Sequence, residues 1–158
     1  MTLHTIDPVW DENSKVLILG SFPSVKSREE GFFYGHKQNR FWRVLASVCD
    51  YSVPKNIDEK KSMLLANGIA VWDVIHSCDI VGSSDSSIKN VVPNDIADIV
   101  QKSDIERIFT NGKKADELYK KYIEQTVGIS AECLPSTSPA NAVWTLEKLC
   151  EEWKIIQK

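Results

Sequence analysis

The residues able to do chemistry gather between Gly20 and Trp42, a stretch that reads Gly-Ser-Phe-Pro-Ser-Val-Lys-Ser-Arg-Glu-Glu-Gly-Phe-Phe-Tyr-Gly-His-Lys-Gln-Asn-Arg-Phe-Trp. Phe22, Phe32, Phe33 and Tyr34 supply flat apolar surface, a Gly stands on each side of Phe32 to Tyr34, and His36 and Asn39 add polar contacts. Asn39 has no proton to titrate at pH 7, so it can place a partner or cap a helix but cannot act as an acid or base. Asp73 is the one charge in the apolar run Ile69 to Ile75. Burying it costs several kcal/mol unless it is paired or hydrogen-bonded, so it is either an ion-pair or capping partner or an acceptor turned toward a ligand. Ser136, Thr137 and Ser138 precede the last helical pattern. Their hydroxyls and N–H groups suit either a phosphate or plain capping. Asp85, in the Ser-rich stretch Gly82 to Ser87, orients a water or makes an Asx-turn.

Elements must hold these residues in place. Val16 to Gly20 is a continuous apolar run of the kind a parallel strand buried on both faces shows, and Phe41 to Cys49 has helical spacing with Asn39 placed as its N-cap. A long connection between such a strand and helix lies where open α/β sheets bind ligands. Further along, the pattern predicts a helix over Asp58 to Asn67, a strand over Ile69 to Ile75 and a loop over Ser77 to Asn94. A short helix opened by Pro93 then leads to a strand over Ile105 to Thr110, a helix over Lys113 to Glu124, a strand over Ile129 to Leu134 and a last helix over Ala142 to Ile156. Met1 to Ser14 reads as a polar lead without chemistry. Alternation of four strands with helices predicts an α/β fold, a three-layer α/β/α sandwich with a central four-stranded parallel sheet, as one domain over residues 1–158.

Composition narrows the function. The chain has 158 residues, 42% hydrophobic and 26% charged, with no apolar run near the length a membrane span needs, so a cytoplasmic monomer is expected. Cys49, Cys78, Cys133 and Cys150 stand far apart, which predicts buried thiols and no metal or other cofactor. A net charge of −3 argues against a protein that coats nucleic acid. Local contact remains open, because Lys26, Arg28, Lys37, Arg40 and Arg43 against Glu29 and Glu30 leave the first loop at +3.

Taken together, the motifs resemble the uracil-DNA glycosylase superfamily. Gly20-Ser21-Phe22-Pro23-Ser24 is similar to the strand end of its mismatch-specific branch, Asn39-Arg40-Phe41-Trp42 to the end of the active-site loop, and Leu134 to Ser138 to the second motif before the last helix. Trp72-Asp73-Val74, Gly82 to Ser87, Asn90 to Asp95 and Asn111 to Lys114 bring the resemblance closest to the hypoxanthine-DNA glycosylase branch, in order over residues 16 to about 150. Two positions depart: Phe22 replaces the mismatch branch's catalytic Asn, and Lys37 replaces the Pro common after the loop His.

The resemblance implies a monofunctional DNA glycosylase that excises a deaminated base, hypoxanthine first and uracil or xanthine next. It implies catalysis by Asn39, a base pocket of Ser21, Phe22, Tyr34 and Asp73, and DNA contacts from Ser24, His36, Ser136, Thr137 and Ser138, without a metal. As a reader, Asp73 accepts the ring N–H that hypoxanthine, xanthine and uracil carry and that adenine and cytosine lack. A small-molecule α/β hydrolase is the rival, but a phosphate-binding Gly-rich loop and a Gly-x-Ser-x-Gly elbow are both missing. A damage-recognition module without activity is the third reading.

Overall fold

The computed structural model describes residues 1–157. In chain order the elements are β1 (Thr2–Leu3), β2 (Val16–Gly20), α1 (Val25–Glu30), α2 (Phe41–Cys49), α3 (Ile57–Ala66), β3 (Ile69–Asp73), β4 (Ile75–Asp79) and β5 (Lys89–Pro93). There follow α4 (Ile96–Gln101), β6 (Arg107–Asn111), α5 (Lys113–Tyr122), α6 (Glu124–Val127), β7 (Ala131–Leu134) and α7 (Leu146–Trp153). Four strands form the expected parallel sheet in the order β3-β2-β6-β7. Their registers pair Gly20 with Asp73, Leu19 with Thr110 and Asn111 with Leu134, so all four carboxyl ends finish along one edge.

Period-two alternation sends β2 side chains to opposite faces of that sheet. Val16 and Ile18 join Ile69, Val71 and Phe109 under α2, α3 and α7, whose Phe41, Val44, Leu45, Met63, Leu64, Leu149 and Trp153 are all buried. Leu17 and Leu19 join Ala70 and Ile108 on the other face, covered by Ile96 and Ile99 of α4 and by Leu118 and Tyr119 of α5. These are the three layers.

Several sequence expectations need correction. The apolar run does not stay in one strand: it breaks at Val74, and Ile75 starts β4 in a second, antiparallel sheet of order β1-β4-β5. The expected loop from Ser77 to Asn94 therefore holds the end of β4 and all of β5, whose mostly exposed residues carry no core pattern. Pro93 ends β5 opposite Ile75, while Asp95 caps α4 by accepting the Asp98 N–H. The last helix starts at Leu146 under a Thr145 cap, because residues 142–144 form turns. The first connection is also structured, with Ser24 capping α1 and Gly31, at φ 74°, ending it.

Two elements fix the long loops against the sheet. The Nε1–H groups of Trp153 and Trp42 donate to the carbonyls of Pro135 and Phe33, at 3.0 and 3.1 Å. At the start of α2, the Arg40 guanidinium donates to the carbonyls of Trp144, Ser138 (2.9 Å) and Asn141 (3.1 Å), pinning the loop between β7 and α7. Hydrogen bonds from a charged donor are the stronger class, so Arg40→Met should lower unfolding free energy by about 2–3 kcal/mol. Urea denaturation measures this, and a variant as stable as the wild type would show that the loop is held by other contacts.

Candidate functional site

At the carboxyl edge of the parallel sheet lies a cleft of about 410 Å³, an ordinary size for a small-ligand site. Every site residue expected from the sequence lines it: Ser21, Phe22, Ser24, Tyr34, His36, Asn39, Asp73, Ser136, Thr137 and Ser138. Asp85, Asn111, Ser27 and Ser83 complete the wall.

Asp73 ends β3 beside Gly20 and is 4% exposed. A Cβ built on Gly20 would stand 2.5 Å from Asp73 Oδ1 and 3.0 Å from the Tyr34 hydroxyl, so only glycine leaves room for both. The other carboxylate oxygen, Oδ2, lies 2.8 Å from Nε2 of His4, whose side chain is 2% exposed. His4 is the partner of Asp73 that the sequence alone did not identify. It comes from the polar lead, which pairs with β4 through β1 and through the His4 N–H donating to the His76 carbonyl.

Tyr34 has a left-handed backbone, φ 54°, and its ring stacks on Phe41 with centroids 3.9 Å apart. One face is thus covered within the protein. Burial first, and the Asp73 carboxylate second, push its phenol well above the usual value, while the neighbouring Asn111 side chain acts the other way. The hydroxyl makes no hydrogen bond among the described residues. Phe32 and Phe33 are core, 4% and 2% exposed, and so is Phe22 at 9%, with the Arg28 guanidinium 5.5 Å from its ring centre; Phe22 and Phe33 both reach the cleft wall.

Asn39 is not the N-cap residue of α2, a position that falls to Arg40, yet its Oδ1 accepts the Phe41 N–H at 2.9 Å as a short turn. The same oxygen accepts the Thr137 hydroxyl at 2.8 Å. Thr137 is fully buried and is held in turn by Asn111, whose Nδ2 donates to its Oγ1 and whose Oδ1 accepts its N–H, both at 3.0 Å. This orients the Asn39 amide: rotating it would set its NH₂ group against the Phe41 N–H. Its oxygen is committed to protein donors, and Nδ2 is left for the cleft.

Thr137 therefore spends its hydroxyl on Asn39 and is sealed from any phosphate. Ser136 and Ser138 stay partly exposed, their Oγ atoms accepting the Ser138 and Ala140 N–H groups, but seven residues separate Ser138 from the start of α7, so they do not cap that helix. Ser24 Oγ accepts the Ser27 N–H as the cap of α1. His36 is exposed, with Nδ1 accepting the Gln38 N–H. Across the cleft mouth the Ser21 hydroxyl donates to Asp85 Oδ1 at 3.1 Å. Loss of surrounding water raises the Asp85 carboxyl above its ordinary value, with the Ser21 bond and Lys114 opposing and Asp73 adding. The loop's cations are largely engaged within the protein: Arg28 donates to the Gly82 carbonyl, Arg40 to three carbonyls, and Lys26 faces Glu30 at 3.7 Å.

Comparison with known proteins agrees with this geometry. The chain matches the Uracil DNA glycosylase superfamily over residues 8–158. It is 33% identical over 136 residues to a hypoxanthine DNA glycosylase of Methanosarcina barkeri, covering 85% of each chain. It is also 33% identical over 150 residues to a hypoxanthine DNA glycosylase of Methanosarcina acetivorans, covering 94% of this chain and 93% of the relative. A solution NMR structure from Methanosarcina acetivorans, of a protein proposed to be a uracil DNA glycosylase, superimposes with a TM-score of 0.80 at 29% identity and 97% coverage of both chains. With its sheet edge, cleft and sequence all in agreement, the chain belongs to the uracil DNA glycosylase superfamily.

Proposed function

We propose that this DNA glycosylase removes deaminated bases, hypoxanthine first and uracil next, as a single-domain monomer in the cytoplasm. The observation that carries the choice of base is Asp73: a buried carboxylate beside Gly20 at the cleft wall, with one oxygen bound to His4 and the other bordering the Tyr34 hydroxyl. A carboxylate accepts and does not donate, so it pairs with the ring N–H of a lactam base and is left unpaired by adenine or cytosine. The names carried by the two Methanosarcina relatives favour hypoxanthine within that class. Four free thiols support a reducing compartment.

In the reaction the target nucleotide leaves the stack and its base enters the cleft. The C1′–N bond breaks with its electron pair going to the base, the sugar carries positive charge, and water adds to C1′, its released proton passing through solvent to neutralise the departed base. Asn39 turns its NH₂ group toward the cleft and so serves as a donor to charge building on the departing base. That differs from placing water through its carbonyl, which Phe41 and Thr137 already occupy. A fixed donor in a partly dry site needs little reorganisation when charge develops. Phe22 and the uncovered face of Tyr34 flank the base. Ser24, His36, Ser136 and Ser138 lie at the rim for the DNA backbone, with Thr137 behind them as a positioning group.

Single-turnover incubation with duplexes carrying hypoxanthine, uracil or xanthine, followed by alkaline cleavage, tests the activity; hypoxanthine should be released fastest, and no release of any base would overturn the reading. Asn39→Ala should slow release by about 100-fold or more. Asn39→Asp separates chemistry from capping, because it keeps both accepted hydrogen bonds while replacing the donor with a negative, acceptor-only carboxylate. It should melt near the wild type yet cleave slowly, and fast cleavage would return Asn39 to its structural role. Binding should weaken with salt at roughly −0.9 per phosphate contact and no more steeply than about −6 overall. Lys37→Ala should lower that slope by about 1, while Arg28→Ala should leave it unchanged.

A further inference from the structure

We propose that His4 is a positioning residue for base selection: its Nε2–H claims one oxygen of Asp73 and thereby leaves the second as an obligate acceptor for the base. The inference rests on the reading of Asp73 above. Four observations carry it. The imidazole is buried, 2% exposed, and wedged among Phe22, Phe33 and Trp72 at centroid distances of 5.9, 6.1 and 6.5 Å. Its Nδ1 accepts the Ile6 N–H at 3.3 Å, so the proton of the neutral ring resides on Nε2, 2.8 Å from Asp73 Oδ2. The opposite oxygen, Oδ1, is the one that closes on Gly20 at the cleft wall. Finally, the lead that delivers His4 is itself anchored, by β1 on β4 and by the Val9–Val71 bridge on β3.

The arrangement has a consequence that simple loss of stability would not produce. A carboxylate has an acceptor oxygen for each of two donors, the histidine and the base N–H. An amide in its place has only one. With His4 present, Asp73→Asn must give its carbonyl to Nε2–H and turn its NH₂ group to the base, donor against donor. Removing the histidine frees the amide to rotate and accept from the base.

Single-turnover release of hypoxanthine therefore distinguishes the outcomes across Asp73→Ala, Asp73→Asn, His4→Ala and the double variant His4→Ala/Asp73→Asn, each checked for folding by thermal unfolding. Asp73→Ala should be slower by about 10- to 100-fold, the worth of one hydrogen bond to a charged group, and Asp73→Asn should be at least as slow. His4→Ala should lose about tenfold through a carboxylate no longer held in place. The double variant should be faster than Asp73→Asn alone. An Asp73→Ala enzyme with wild-type release would overturn the reading of Asp73 and this inference with it. Slow Asp73→Ala beside wild-type His4→Ala, or a double variant showing only the combined losses, would overturn the role of His4 and leave Asp73 as the reader. Where His4→Ala does not fold, His4→Gln takes its place, since its amide can still donate to Asp73. It should retain most of the wild-type rate, and a folded His4→Gln as slow as Asp73→Ala would overturn the inference.

Discussion

A carboxylate buried at the end of a parallel strand sets conditions that much of this molecule meets. Asp73 loses its water, and an ionised group in that position is tolerated only with partners. Gly20, directly across in register, must lack a side chain for the carboxylate to fit. His4 must arrive from the chain's start, which requires an edge for that segment to pair with. The break at Val74 supplies the edge by sending the chain out of the parallel sheet and into β4, where β1 docks. The small antiparallel sheet is thus the scaffold that brings an imidazole to the carboxylate at the cleft wall.

A second constraint joins the loops. Asn39 Oδ1, Thr137 Oγ1 and Asn111 form one hydrogen-bonded chain linking the start of α2, the loop after β7 and the end of β6. Each group satisfies another, so three separate connections share one geometry, and the Asn39 NH₂ group inherits a fixed direction. Capping and chemistry are then not alternatives for this residue. The oxygen does the structural task, and the nitrogen stays free for the donor role proposed above.

How much of this was legible in the sequence follows from the range of each interaction. Val16 to Gly20 and Phe41 to Cys49 show their periods locally, and their boundaries hold. The cleft residues were legible because strand ends in a parallel sheet lie together, whatever loops follow. β5 was not legible, since its exposed Lys89, Asn90, Val92 and Pro93 lack an alternating apolar pattern, and its pairing with β4 is irregular. His4 lay further out of reach. A charge in an apolar run demands a partner, but nothing local says that the partner stands 69 residues earlier. Thr137 shows a related limit: a hydroxyl on a Ser-Thr-Ser loop looks free, and only the fold shows it buried and bonded to Asn39.

The same distinction between visible charge and available charge bears on how an acidic protein holds DNA. Five cations in the first loop suggest a basic patch, yet Arg28 and Arg40 spend their guanidinium groups on backbone carbonyls, and Lys26 faces a glutamate. Arginine's planar fork makes it the better residue for that structural work, and such groups add less to binding than their formal charge suggests. Lys37 and Arg43 of the same stretch stand exposed. On the proposed reading, affinity for undamaged duplex is expected to rest on few phosphate contacts, with the extra free energy of a damaged site expected from the base in the cleft. Weak electrostatic attachment leaves the choice of site to base chemistry, which is what a search for rare lesions among undamaged bases requires.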